Sequence, residues 1–135
     1  MIEPPSGMVL IAPAPDFTEA LMWPAMPEEA RRQIETEGRW VRPSAYDEGG
    51  YPITRALIED GRRNLVLGGL VETGCPVRIL QGMMDADVPW RHAMRLAECM
   101  ARDDVVVTLI KDGDHRLSRD EDIARLKEAV ADMAG

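Results

Sequence analysis

The sequence predicts an α/β protein built on parallel strands, and three features carry that prediction. Short aliphatic runs occur at residues 8–12 (MVLIA), 77–80 (VRIL) and 105–110 (VVVTLI), each closed by a turn bearing Gly, Pro or Asp. Unbroken apolar runs of this kind suit strands covered on both faces, as parallel strands are. A helical pattern separates the second run from the third, and another follows the third. Strand, helix, strand, helix at this spacing reads as βαβα with right-handed crossovers.

Taken in order, the run at 8–12 is followed by a stretch of different character, about 16–69. Asp16-Phe-Thr-Glu19 looks like a helix start leading into residues 20–23. Pro27 opens a second helix that stops at Gly38, with Ala30 and Ile34 on its inner face. Residues 46–51 form a polar, Gly-rich turn, and 54–67 reads as a third helix. Irregular helices inserted between two strands of one sheet are a common way to build a lid or substrate cap. The helix at 90–101 enters at Pro89 and carries Trp90, Met94, Ala97 and Met100 at helical spacing. His92 lies beside Arg91 and is expected on that helix's surface. Beyond the third strand, Ser118 and Glu121 form a capping box, and Ile123, Leu126, Val130 and Met133 make an apolar stripe.

The length allows one domain or a piece of one. With 45% hydrophobic and 30% charged residues, the composition is that of a globular protein, not a disordered one. A net charge of −8 disfavours nucleic acid and anionic membrane surfaces, both of which need a basic footprint. No apolar run approaches the ~18 residues of a membrane span. Cys75 and Cys99 have no neighbours at metal-ligand spacing and read as buried, reduced thiols. The Glu3-Pro-Pro opening is unlike a secretory signal. A reducing cytoplasm fits these features.

Two loops could carry chemistry, 81–89 (QGMMDADVP) and 111–118 (KDGDHRLS). If their strands are parallel, both leave from carboxyl ends and open on the sheet edge where sites form in α/β folds. Asp85 and His115 could meet there, the carboxylate fixing the imidazole tautomer and stabilising the imidazolium. Asp87, Asp112 and Asp114 suit turn-capping or solvated positions. An alternative gathers Asp85, Asp87, Asp112, Asp114 and His115 around Mg²⁺ or Mn²⁺, although their spacing matches no known loop for such ions.

The segment from Cys75 to Trp90, together with Asp112-Gly-Asp-His-Arg-Leu-Ser118, resembles the C-terminal part of the α/β-hydrolase superfamily. Within it, the segment is similar to the branch of palmitoyl-protein thioesterases and acyl-glucuronide esterases and their bacterial relatives. The resemblance runs over nearly the whole chain, residues 51–57 being like part of the family's cap. It implies a partial α/β-hydrolase fold across 1–135, with about three parallel strands, flanking helices and a helical cap insertion at about 16–69. By motif position it implies Asp85 as the triad acid and His115 as the triad base. Gln81 departs from the family, which usually has His there.

The family's nucleophile sits on a Gly-x-Ser-x-Gly elbow. This sequence has no such motif, its serines being Ser6, Ser44 and Ser118. The resemblance therefore implies a C-terminal half of a serine hydrolase acting on carboxylic esters or thioesters. It would be inactive alone, and no cofactor or metal is expected. Met22, Trp23 and Met26 are candidates for an apolar acyl surface, with packing of the cap as the competing role. The strand at 8–12 would keep an open edge, inviting a second copy or a complementing N-terminal half. A non-catalytic module that binds a partner through that edge is the other reading.

Overall fold

The structure is a computed structural model that describes residues 3–43 and 49–134. Ser44 and part of the expected turn at 46–51 lie outside the described residues. In chain order the elements begin with β1 (Met8–Ile11), then a π-helical segment (Phe17–Met22) running into α1 (Trp23–Ala25). Next come α2 (Glu28–Glu37), β2 (Arg39–Arg42), β3 (Tyr51–Thr54) and α3 (Arg55–Arg63). The chain continues through β4 (Val77–Gly82), α4 (Trp90–Cys99), β5 (Val105–Ile110) and α5 (Asp120–Ala134). These elements form two compact units, Met1–Pro15 with Val66–Gly135, and Asp16–Leu65.

The first unit is the α/β body. Its sheet has the order β1-β4-β5, and both pairings are parallel. The register runs from Val77 opposite Val105 to Gly82 opposite Ile110, so β4 and β5 end side by side. The central strand β4 is buried along most of its length, whereas β5 alternates between covered and exposed positions. Only the central strand thus meets the expectation of cover on both faces, since Val106 and Thr108 leave one face of β5 exposed. Val77 and Ile79 pack with Ala93, Leu96 and Met100, while Leu80 and Ile110 pack with Leu117 and Leu126. The alternation of side chains along β4 hands one set to α4 and the other to α5. At the amino end of the sheet, the Asp103 carboxylate accepts from the Thr73 N–H and hydroxyl, both at 2.8 Å. That knot fixes the chain as it enters β4.

The second unit is built around a hairpin. β2 and β3 pair antiparallel, Trp40 opposite Ile53, and Ile53 packs with Met26, Ala30, Ile34 and Ile58. α2 ends at Gly38 with φ 87°, the left-handed cap that glycine adopts without strain. Thr54 caps α3 by accepting the Leu57 N–H at 3.1 Å. Gly61 lies against Thr18, where an added Cβ would stand 1.9 Å from the hydroxyl oxygen. The Arg62 side chain donates to Glu19 at 2.6 Å. The two ends of this unit are therefore pinned to each other.

Several expectations change. The β2–β3 hairpin was not expected, because Arg39-Trp-Val-Arg42 is too short and polar to announce a strand, and β3 overlaps the expected turn only at Tyr51. α3 ends at Arg63 rather than 67, closed by Asn64, whose side chain donates to the Asp60 carbonyl at 2.8 Å. The segment after Asp16 is π-helical, and the Asp16 side chain does not cap it. α5 starts at Asp120, one residue after the capping-box geometry of Ser118 would place it. Its inner face carries Asp122, Leu126, Ala129 and Met133, leaving Ile123 and Val130 exposed. Asp122 takes an inward position because Arg119 and Arg125 both bond its carboxylate. On α4 the buried residues are His92, Ala93 and Leu96, with Trp90 and Met94 only partly covered. His92 is thus interior, its Nε2 donating to the Pro15 carbonyl at 2.7 Å.

Candidate active site

Asp85 and His115 leave from the adjacent ends of β4 and β5. The two loops are stitched through the main chain, Met83 N–H to Ile110 O at 2.8 Å and Met84 N–H to Gly113 O at 2.9 Å. Gly82 and Gly113 make that approach possible. A Cβ on Gly82 would lie 2.3 Å from the Gly113 oxygen and 2.5 Å from the Asp114 oxygen. The loop that carries His115 is shaped further by Leu117, which holds φ 47° while its side chain is buried against Leu80 and Ile110. A non-glycine residue in that region costs about 1–3 kcal/mol, here offset by packing. Asp114 accepts the Leu117 N–H at 2.8 Å and closes the turn. Asp112 binds Arg119, which also bonds Asp122, so α5 grips the loop from outside.

Within this frame His115 Nδ1 stands 2.8 Å from Asp85 Oδ2. The Asp85 side chain is inaccessible to solvent, and that of His115 is 45% exposed. Oδ1 accepts the Asp87 N–H at 2.8 Å and the Val88 N–H at 2.9 Å. Oδ2 also accepts from the Gln81 amide at 3.2 Å. Burial pushes the Asp85 carboxyl up, but the Val88 N–H, His115, the Asp87 N–H and the Gln81 amide outweigh it and hold it below its ordinary value. Because the carboxylate is charged and only accepts, Nδ1 carries the proton. In the neutral ring Nε2 is then the acceptor.

Asp85, Asp87 and His115 offer ligand atoms within 4.8 Å of one another. Asp112 and Asp114 are engaged as described, so the five-residue metal set contracts to three. Both Asp85 oxygens are already filled by four donors, and His115 Nδ1 faces Asp85. A divalent ion would have to displace these bonds, and the donor set does not fit one. Among the acyl-surface candidates, Met26 is buried with Ala30 and Ile34, and Met22 and Trp23 pack beside it. The Trp23 ring face is covered by the Arg62 guanidinium, 4.8 Å from its centroid. Residue patterns did not foretell the burial of His92 or of Gln81. Gln81 sits on an apolar strand, where a polar residue just before a Gly-rich loop is a usable signal.

Two predictions follow from this geometry. Gly82→Ala should push the His115 loop away, with a loss of about 1–3 kcal/mol in chemical denaturation and of the His115 Nδ1 proton signal in NMR. The second concerns acid. Asp85 has a depressed value in the folded state, so its contribution to stability is complete above about pH 4 and is lost as pH falls through the folded value. Asp112 and Asp122 act in the same direction through their bonds to Arg119. The stability difference between the unaltered chain and Asp85→Asn should therefore shrink as pH is lowered from 5 to 2 in denaturant titrations.

No protein-family model matches the chain. A protein of Agrobacterium vitis S4 assigned as a hydrolase superposes with a TM-score of 0.85, at 52% identity over 94% of this chain and 49% of that one. The mouse α/β-hydrolase domain-containing protein 10 superposes with a TM-score of 0.80 and 34% identity, over 95% of this chain and 51% of its own. The chain is homologous to α/β-hydrolases. Among curated relatives, the mitochondrial palmitoyl-protein thioesterase ABHD10 of Mus musculus is 36% identical over 110 residues, and that of Homo sapiens 34% over 109. This α/β-hydrolase relative spans 36 to 37% of those proteins and about half of the solved ones. The esterase domain of a Rhodothermus marinus protein, 18% identical with a TM-score of 0.56, shares the fold. Among the described residues of this hydrolase relative, no helix is long and apolar enough to cross a membrane.

Proposed function

We propose that the chain supplies the acid and base of a serine hydrolase acting on carboxylic esters or thioesters with acyl substrates. The reading rests on the Asp85–His115 hydrogen bond, 2.8 Å at the shared carboxyl edge of β4 and β5. His115 would take the proton of a serine hydroxyl through Nε2, then return it to the leaving group, while Asp85 holds the ring and stabilises the imidazolium. The serine would come from a Gly-x-Ser-x-Gly elbow on another segment, because Ser6, Ser44 and Ser118 lie in no such motif. The β1 edge, which pairs only with β4 among the described residues, is where that segment or a second copy would add. The unpaired thiols of Cys75 and Cys99 suit a reducing compartment such as the cytoplasm.

The test is hydrolysis of p-nitrophenyl butyrate by the purified chain, alone and co-expressed with a segment that carries the elbow and completes the sheet. Turnover should be absent in the first case and present in the second. Turnover by the chain alone, abolished in His115→Ala, would overturn the division of labour between segments. Failure of any elbow-bearing partner to restore turnover would sink the hydrolase reading.

A further inference from the structure

We propose that Gln81 is a positioning residue for the Asp85–His115 pair, its buried amide fixing which carboxylate oxygen faces the imidazole. The inference rests on the acid and base reading of that pair. Gln81 is fully buried at the end of β4, at 0% exposure. Its Nε2 lies 3.0 Å from the Gly82 carbonyl, 3.1 Å from the Val88 carbonyl and 3.2 Å from Asp85 Oδ2. All three are acceptors, so the orientation of the amide is decided. Turning it over would set Oε1 against two carbonyls and a carboxylate. Oε1 is buried and accepts no hydrogen bond from the described residues.

The donor side of the amide is the informative part. A position chosen for packing alone would take an apolar side chain of the same shape. A buried amide there brings N–H groups that do something an aliphatic chain does not. The amide's two N–H groups join the two ends of the 82–88 loop through the Gly82 and Val88 carbonyls, and the Asp85 carboxylate between them shares one of these hydrogens at 3.2 Å. With Oδ1 held by the Asp87 and Val88 N–H groups, the Gln81 contact on Oδ2 stops the carboxylate from swinging out of line with His115. A carboxylate held on both oxygens keeps the imidazole in one tautomer without reorganising during proton transfer.

The experiment is NMR of the ¹⁵N-labelled chain, comparing the unaltered protein with Gln81→Met, which keeps the length and removes the donors. In a variant whose sheet amides keep their native shifts, the His115 Nδ1 proton should exchange with solvent at least about tenfold faster. The ring nitrogens should also move from one tautomer toward a mixture. A purely structural role would lower stability and leave that proton and tautomer unchanged, which would overturn the proposal. Should Gln81→Met fail to fold, His115→Ala reads the same link from the other side. The Gln81 amide protons share Oδ2 with the imidazole and should shift when it is removed. Amide protons that do not move would equally overturn the proposal. No turnover is measured, so a failed hydrolysis assay leaves this result intact, and a failed NMR test leaves the hydrolase reading standing.

Discussion

In any form of the protein that turns over an ester, His115→Ala is expected to lower kcat by a factor on the order of 10⁴–10⁶. The size follows from what the imidazole alone can do. Its Nδ1 is committed to Asp85 at 2.8 Å, its other nitrogen is left as an acceptor, and nearly half of the side chain is open to an incoming group. Among the described residues, the other histidine, His92, is buried and spends its Nε2 on the Pro15 carbonyl, so it offers no substitute base. Asp85→Asn should cost about 10⁴ by presenting an amide that favours the wrong tautomer. KM should change little in both, since neither group would hold the acyl chain in the ground state. Steady-state kinetics on a p-nitrophenyl ester checks this. More than a tenth of the activity surviving in His115→Ala would remove it from the reaction.

Ile79→Ala should destabilise the α/β unit by about 2–5 kcal/mol. Ile79 is at 0% exposure in the central strand, where its side chain meets the cluster of Val77, Ala93, Leu96 and Met100. Truncation removes three carbons from a site bounded by a sheet that cannot close up, so the lost burial and the cavity add. The control is Val106→Ala on β5. Val106 is 46% exposed, and its removal should stay within about 0.5 kcal/mol. Urea denaturation with unchanged m-values would measure both, and equal effects at the two positions would contradict the core as described.

Parallel strands declared themselves because their runs are dominated by aliphatic residues, and the Asp85–His115 pairing because both residues stand in the loops that follow those runs. The hairpin did not, since Arg39-Trp-Val-Arg42 and Tyr51-Pro-Ile-Thr54 lack apolar alternation and owe their pairing to Ile53 beneath them. His92 was misjudged for a related reason: its burial depends on a carbonyl far away in sequence, which periodicity cannot register. The inner face of α5 was shifted by Asp122, a residue type that enters an interior when its carboxylate is paired or hydrogen-bonded, here by two arginines. Gln81 stood out as a departure from the family pattern. Its three-way contact became visible only when the loop that carries Asp85 folded back over it.

The close approach of Gly61 to Thr18 and the Arg62–Glu19 bond bear on the order in which the molecule assembles. β1 must find β4 across a long stretch of chain, and closing a loop costs about 0.6 kcal/mol per doubling of its length. Once residues 16–65 have joined their own ends, the free chain between the two strands shrinks from about 65 residues to about 15, two doublings or about 1.2 kcal/mol. The inserted unit would then act as a clasp that forms first and draws the distant strands into register. Loosening it with Gly61→Val should slow refolding of the parallel sheet more than it speeds unfolding.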